Sequence, residues 1–553
     1  MPHAKRWIFL AHRWLGVLLS AFFAMWFISG VVMMYVGYPK LTPAERLRHL
    51  PPLSATGLLE PAQALHAAGL TGPLQALRLA AASGGRAVYL ATPVPAQGPA
   101  RTVVVDAATG TRLAHADAAH AQASALAFQA QLPPGSAALA APQYLGEIGE
   151  DAFTHSRALD THRPLHKLQL HDAAATVLYV SSQTGEVVRD APRHERAWNY
   201  LGAWLHWLYP LRGGALGPYW TAIVDGLSLL GIALALTGTT VGLWRWRFAG
   251  RYRSGARTPY PGAVMRWHHV AGLLFGLSTC AWIFSGLMSM NPWKIFDSGA
   301  PALRTAALHG APLQLADSAA RVQALLQAAG PGVRELRWTR TLGDTVVQAH
   351  GASGPPLLLD AATARPTTVD AARLRAQAAR LVDAPLARLE TLQAYDLYYY
   401  DRAEHTMTGA GEKPLPVLRA VFEDAHGTWV HIDPATGAVL GRLDSHHRAS
   451  RWLFGMLHSW DWLPLLQRRP AWDALLIALS LGGTALSLTG VVVGWRRLAR
   501  KLHAASGDNR GLCPTVRGHP RRAPEPLPCP SSTKPAAAAP SPSSPTPTRA
   551  RPR

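Results

Sequence analysis

Cysteine and charge are both scarce in this chain. Its 553 residues include only 3 Cys, none in a metal-ligand spacing such as C-x-x-C, which excludes a disulfide scaffold and a thiolate metal site. Charged residues make up 16% of the chain, against about 25% in ordinary soluble domains. Acids are the scarcer sign, 33 Asp+Glu against 54 Lys+Arg, leaving a net charge of +21. Such a charge ordinarily raises nucleic acid as a partner. Sparse charge beside 48% hydrophobic residues and 19 Trp instead describes a membrane protein with basic margins. No glycine fingerprint stands in a strand-turn-helix setting, so no nicotinamide or flavin domain is expected. No spacing of nucleophiles or paired carboxylates points to hydrolysis.

Long apolar runs are what the sequence has. Four stretches reach the ~20 residues a helix needs to cross a bilayer: Trp14 to Tyr38, Pro218 to Leu243, Val270 to Met290 and Ala474 to Gly494. The first is too long for a signal peptide and lacks a small-residue cleavage site after Ser29-Gly30, so it reads as a retained helix. Lys5, Arg6 and Arg13 flank the first run. Six arginines without an acid (Arg245, Arg247, Arg251, Arg253, Arg257, Arg266) join the second to the third, and Arg496, Arg497, Arg500 and Lys501 follow the fourth. By the positive-inside rule these flanks and both termini are expected in the cytoplasm of a bacterial inner membrane. These flanks and the basic tail hold 19 of the net +21 charges, so the charge reports topology and argues against nucleic acid.

The expected layout is a transmembrane helix over 1–38, a periplasmic domain over 39–197, an interfacial segment and second helix over 198–246, and a basic loop over 247–266. A third helix over 267–290, a second periplasmic domain over 291–451, an interfacial segment and fourth helix over 452–497, and a disordered tail over 498–553 complete it. The tail is Pro-, Ala- and Ser-rich and cannot bury enough surface to offset its ordering entropy. Cys513 and Cys529 lie in it, and Cys280 lies in the third helix.

The chain also repeats itself. A shift of 252 lays TVLYVSSQTGEVV from Thr176 over TWVHIDPATGAVL from Thr428 without a gap to Gly242 over Gly494, matching His206 with His458. A shift of 256 matches His12 with His268 and Ser29-Gly30 with Ser285-Gly286. The expected fold class is therefore an α-helical membrane protein with four transmembrane helices in two tandem-repeat halves, each carrying an α+β external domain. Gln63 to Leu70 and Ser318 to Ala329 have helical character, while RAVYLATPV, RTVVVDAATGTRL, TVLYVSSQTGEVV and GTWVHIDPATGAVL read as strands. The Thr-Gly pairs read as hairpin turns in which Gly supplies positive φ.

Polar groups at membrane depth are functional candidates. Among the 24 His, the repeat-matched ones are His12, His268, His206 and His458. The first two open membrane runs. The other two sit in WNYLGAWLHWLYPL and WLFGMLHSWDWLPLL, read as helices at the external interface, with Pro210, Gly213, Gly214 and Pro218 interrupting the first. A haem held by two neutral imidazoles needs one His on each of two facing helices in an apolar, aromatic surround. Pseudosymmetry would pair His12 with His268 and His206 with His458. Against this, a lone His beside Trp or Arg at a helix end is commonly an interfacial anchor, and His269 competes with His268.

HRWLGVLLSAFFAMWFISG, KPLPVLRAVFEDAHGTWVHIDPATGAVL, RWLFGMLHSWDWLPLL and SLTGVVVGWRRL resemble the PepSY-associated transmembrane family, also called iron-regulated membrane proteins, over about residues 5 to 500. The resemblance implies a four-helix membrane bundle with PepSY-like periplasmic domains. It also implies one or two haem b groups on His12, His206, His268 and His458, and reduction of a ferric siderophore or other ferric chelate in the periplasm for iron acquisition. Electrons would come from a quinol or a cytoplasmic donor. A dense cluster including Tyr395, Tyr398, Tyr399, Arg402 and His405 could line the chelate site, or form the edge of a β-rich core. Two other readings are a non-enzymatic PepSY regulator or sensor, and a siderophore permease component.

Overall fold

The computed structural model of the chain describes residues 2–95, 97–133, 135, 140–401, 405–407 and 413–508. Arg402 and most of the Pro-rich tail, with Cys513 and Cys529, therefore lie outside the described residues. The chain divides into the units Met1–Arg497 and Leu498–Arg553. In the second, the described residues continue a helix to Asp508. Every described strand lies in the first.

Among the described residues, four helices are long and apolar enough to cross a membrane: span one (His3–Tyr35), span two (Gly217–Arg245), span three (Ala263–Ser289) and span four (Ala471–His503). They fit a multi-pass membrane protein. Apolar runs free of mid-helix proline, with Asp225 near the start of span two, let each continue unbroken, every backbone group being satisfied within its own helix. Span two packs on spans one and three. Span four closes against spans one and three through small residues: a Cβ on Gly483 would stand 2.3 Å from the Phe27 ring, and one on Gly490 2.6 Å from Ser20 Oγ. A Cβ on Gly482 would likewise stand 2.3 Å from the Phe275 ring of span three, so these glycines make room for side chains of the facing spans.

The β-rich regions follow spans one and three, so they lie at one end of the bundle, here the sheet-bearing end. The first holds β1 (Leu74–Ser83), β2 (Arg86–Pro93), β3 (Val103–Asp106), β4 (Arg112–Leu113), β5 (Gln143–Ile148), β6 (Leu165–Gln169), β7 (Val177–Ser181) and β8 (Val187–Ala191). The second holds β9 (Glu335–Thr341), β10 (Asp344–His350), β11 (Leu357–Asp360), β12 (Leu386–Leu392), β13 (Val417–Phe422), β14 (Trp429–Ile432) and β15 (Val439–Leu443). The Thr-Gly hairpins form where the sequence predicts them, β7 to β8 and β14 to β15. At the first turn Gly185 has φ of +69°, and a Cβ there would meet Ser83 Oγ at 2.3 Å. Shorter helices at Pro61–Ala67 and Val322–Ala329 match the two predicted helical stretches.

Two sheets are local: β5-β6-β7-β8 and β12-β13-β14-β15 run in sequence order within one region each. The third crosses between regions, in the order β11-β10-β9-β1-β2-β3-β4. Its central ladder pairs Leu77 with Trp338 and Ala80 with Glu335 in antiparallel register. One face buries Leu77, Leu79 and Tyr89 against Leu336, Trp338 and Val347 in a single core. At the seam Glu335, fully buried, accepts from Arg46 at 2.8 Å, Arg78 at 3.0 Å and Arg337 at 2.8 Å. Burial alone would raise its pKa, but the three guanidiniums hold it down at about 2. The regions the sequence draws as two domains thus meet in one sheet.

Candidate functional site

His206 ends a helical run that starts at Arg193 and widens into a π-turn over Tyr200–Trp204. His458 lies in a matching run, with a π-turn over Arg451–Met456. Such turns expose a wider groove and recur at functional sites. Two residues after each His the chain reverses through a left-handed residue, Leu208 with φ of 52° and Trp460 with φ of 49°. Gly202 lets the first run lie on span one, since its Cβ would stand 3.1 Å from Val32. In the first run the expected break follows, with tight turns at Tyr209–Leu211 and Gly217–Tyr219.

Each of these histidines is gripped by the adjacent span in the same way. Trp26 Nε1 donates to the His206 carbonyl at 3.0 Å, and Trp282 Nε1 to the His458 carbonyl at 2.9 Å. Ser29 Oγ lies 3.0 Å from His206 Nδ1 and donates its own proton to the Met25 carbonyl at 2.7 Å. Ser285 Oγ lies 3.0 Å from His458 Nδ1 and donates to the Trp282 carbonyl at 3.0 Å. Each imidazole is thus held at Nδ1 by the serine of the adjacent span, which leaves Nε2 as the nitrogen a metal would meet, the arrangement of a metal-ligating histidine oriented by a partner on its other nitrogen. Gly30 and Gly286 supply flat walls, their hypothetical Cβ atoms 3.6 and 3.9 Å from the ring edges.

The two rings face one another with centres 6.1 Å apart, tilted by 76°. His12 and His268 do the same near the opposite end of spans one and three, with centres 6.3 Å apart and a tilt of 34°. A metal about 2.0 Å from each of two imidazole nitrogens, all in line, sets the ring centres roughly 6.3 Å apart. Both ring-centre separations match that spacing. His268 Nδ1 donates to the Leu486 carbonyl at 3.2 Å and to Thr489 Oγ1 at 3.1 Å, again freeing Nε2. His12 is held by the backbone of Leu234, 252 positions before Leu486. A Cβ on Gly238 would sit 2.7 Å from His12 Cε1, and one on Gly490 3.4 Å from His268 Cε1.

His269 does not compete. Its Nδ1 meets Thr258 Oγ1 at 2.8 Å and its Nε2 the Gly242 carbonyl at 2.8 Å, so both nitrogens are engaged in pinning the loop after span two.

From His12 to Ser29 span one rises about 25 Å. The space between the pairs is apolar and aromatic: Leu19, Phe23, Phe27 and Leu234 are buried together, with Trp26 and Trp282 packed on them. Phe27 meets Trp282 edge to face at 5.7 Å.

Beside His206 and His458 opens a cavity of about 1090 Å³ whose wall runs from Phe23, Phe27 and Trp282 up to Lys40, His155, Arg189, Tyr398, His405 and Lys413. Of the predicted lining residues, Tyr398 and His405 stand on this wall. Tyr395 and Tyr399 stand off it, their hydroxyls donating to the Lys413 and Pro414 carbonyls at 2.7 and 2.8 Å, with the Tyr399 ring packed on His431. Lys40, His155, Arg189 and Lys413 have no sequence signature; they converge only through the fold. His405 reaches Glu45 at 2.8 Å. That bond raises the imidazole above its ordinary pKa. Burial would raise Glu45, but His405 and Thr42 hold it down at about 2. Asp190 lies close to this cluster, where burial, reinforced by Glu45 and Glu195, pushes its carboxyl up to about 7.

In comparisons with known proteins, no family model matches the chain and no curated protein matches it.

Proposed function

We propose that this chain is a PepSY-associated transmembrane protein of two tandem-repeat halves that carries haem b and conducts electrons across a bacterial inner membrane to a ferric chelate. The observation that carries the reading is the facing of two histidine pairs at 6.1 and 6.3 Å, three of the four imidazoles having Nδ1 engaged and Nε2 free. Equal spacing of matched elements supports the repeat: β8 and β15 stand 252 residues apart, as do β7 and β14 at their starts.

In this reading His12 with His268 holds one haem and His206 with His458 the other. Haem b, when bound, supplies one-electron redox chemistry. The protein's own part is to orient the imidazoles through Ser29, Ser285 and Thr489, to exclude water with Phe23, Phe27, Trp26 and Trp282, and to seat the acceptor. The Arg-rich loop and both termini face the cytoplasm, where a quinol or a soluble reductase supplies electrons. The cavity beside His206 and His458 then opens to the periplasm. Lys40, Arg189 and Lys413 on its wall suit an anionic ferric siderophore. One electron converts Fe(III) to Fe(II), which hard oxygen donors hold less tightly, and the metal is released.

Protein purified from haem-replete cells tests this. A Soret band that loses part of its intensity in His206→Ala and in His458→Ala, but not in the exposed His66→Ala, is the expected result. Absence of any Soret band, or an undiminished one in both variants, defeats the haem assignment. Failure of a ferric chelate to reoxidise the haem of protein first reduced with dithionite and freed of excess reductant would defeat the substrate assignment alone.

A further inference from the structure

A second group of ligand-type side chains lies in the first β-region. His115 follows β4, Glu147 lies on β5 and His166 on β6. One ligand atom from each lies within 4.8 Å of the other two. Glu147 and His166 are directly opposed across the β5–β6 ladder, which places their side chains on one face at neighbouring positions. His115 and Glu147 are exposed, whereas His166 is 2% exposed.

His166 is prepared as a ligand rather than only packed. Its Nε2 lies 2.8 Å from the Ala116 carbonyl, which can only accept, so Nε2 carries the proton and Nδ1 the lone pair. A backbone carbonyl on the far nitrogen is the usual support of a metal-binding imidazole. Nδ1 meets only the Tyr144 hydroxyl, at 3.0 Å, a neutral hydrogen bond that a cation can replace. The other region provides an internal control. β13 holds the second place in its sheet as β6 does in its own, and 252 positions on from His166 stands Leu418, in the core. The position thus takes an apolar residue in one region and an imidazole in the other.

We propose that His115, Glu147 and His166 form a binding site for a divalent transition-metal ion. Two imidazoles and one carboxylate suit Zn²⁺, Fe²⁺ or Ni²⁺ rather than Mg²⁺ or Ca²⁺, and three protein ligands leave a coordination position for water or an incoming donor. The site stands apart from the histidine pairs, and its fate is independent of the haem reading.

Zinc titration of the full chain in detergent, followed by calorimetry, tests the proposal, with cobalt absorption as a second readout. One equivalent is expected to bind the wild type with at least tenfold higher affinity than it binds His115→Ala or Glu147→Gln, and Co²⁺ is expected to give d–d bands that both variants lose. Mg²⁺ should not compete. Both substitutions are at exposed positions, so melting curves in the absence of metal should coincide with wild type. Indistinguishable titrations of wild type and both variants would overturn the site.

Discussion

His206 and His458, 252 residues apart in the chain, face one another with ring centres 6.1 Å apart. Each is oriented by a serine and a tryptophan of the span beside it. The grip is duplicated down to the atom, so it can be tested one side at a time.

Ser29→Ala removes the partner of His206 Nδ1 and leaves Ser285 with His458 intact. Orienting partners of this kind are worth about 10–100-fold in metal affinity. Haem should bind more weakly by about that factor at one site, with a displaced midpoint potential for that component and an unchanged one for the other. A spectroelectrochemical titration identical to wild type would show that the serine does not act on the ligand.

Gly238→Ala brings a methyl group 2.7 Å from His12 Cε1, whereas Gly226 on the same helix has open space around it. The first substitution should displace His12 and remove the spectral component of the His12–His268 pair. Gly226→Ala should leave both components in place. Equal spectra for the two variants would break the link between that glycine and the imidazole.

The contribution of Asp190 to the pH dependence of the β-rich end has a definite sign. Burial lifts the Asp190 carboxyl from an ordinary 3.8 to about 7, so the native state keeps a proton that the unfolded chain releases. That contribution is full below about pH 4 and is lost as pH rises through 7. His405, raised by Glu45, loses its contribution in the same direction, above its own raised pKa. His49, His350 and His431, each held down at about 4 by desolvation, act in the opposite sense, so the readout is the difference between variant and wild type. Asp190→Asn should gain stability relative to wild type as pH rises from 5 to 8, by on the order of 1 kcal/mol at pH 8. A variant that parallels wild type at every pH would exclude Asp190 as the source.

Glu335→Gln strips the shared carboxylate from Arg46, Arg78 and Arg337 at the seam of the seven-stranded sheet. Removing one partner of a buried ion cluster costs about 3–5 kcal/mol. Thermal or denaturant unfolding should register a loss of that size, while exposed Arg388, paired with Glu390, should cost under about 1 kcal/mol on substitution by Ala. A small change at Glu335 would mean that the seam does not depend on it.

Much of this was legible in the sequence because it is local. Apolar runs about 20 residues long became four helices of membrane-spanning length; strand, turn and strand around Thr184-Gly185 and Thr436-Gly437 became hairpins. The meeting of His12 with His268 and of His206 with His458 was legible for a different reason: sequence shifts of 256 and 252 lay those residues over one another. The cavity wall was less so. Tyr395 and Tyr399 look like their neighbour Tyr398, but backbone carbonyls of Lys413 and Pro414 draw their hydroxyls away. The choice between His268 and His269 had no signature either, since it depends on which flank of the helix meets span four and which meets the end of span two.

The sequence by itself determined the spans, the hairpins and the candidate ligands, because hydrophobic run length, turn chemistry and internal repetition act over a few residues or are copied whole. The tertiary structure decided the partners of each imidazole, the cavity wall and the joining of both β-regions through β1 and β9. Each of these depends on which carbonyl, hydroxyl or strand edge arrives from a part of the chain remote in sequence.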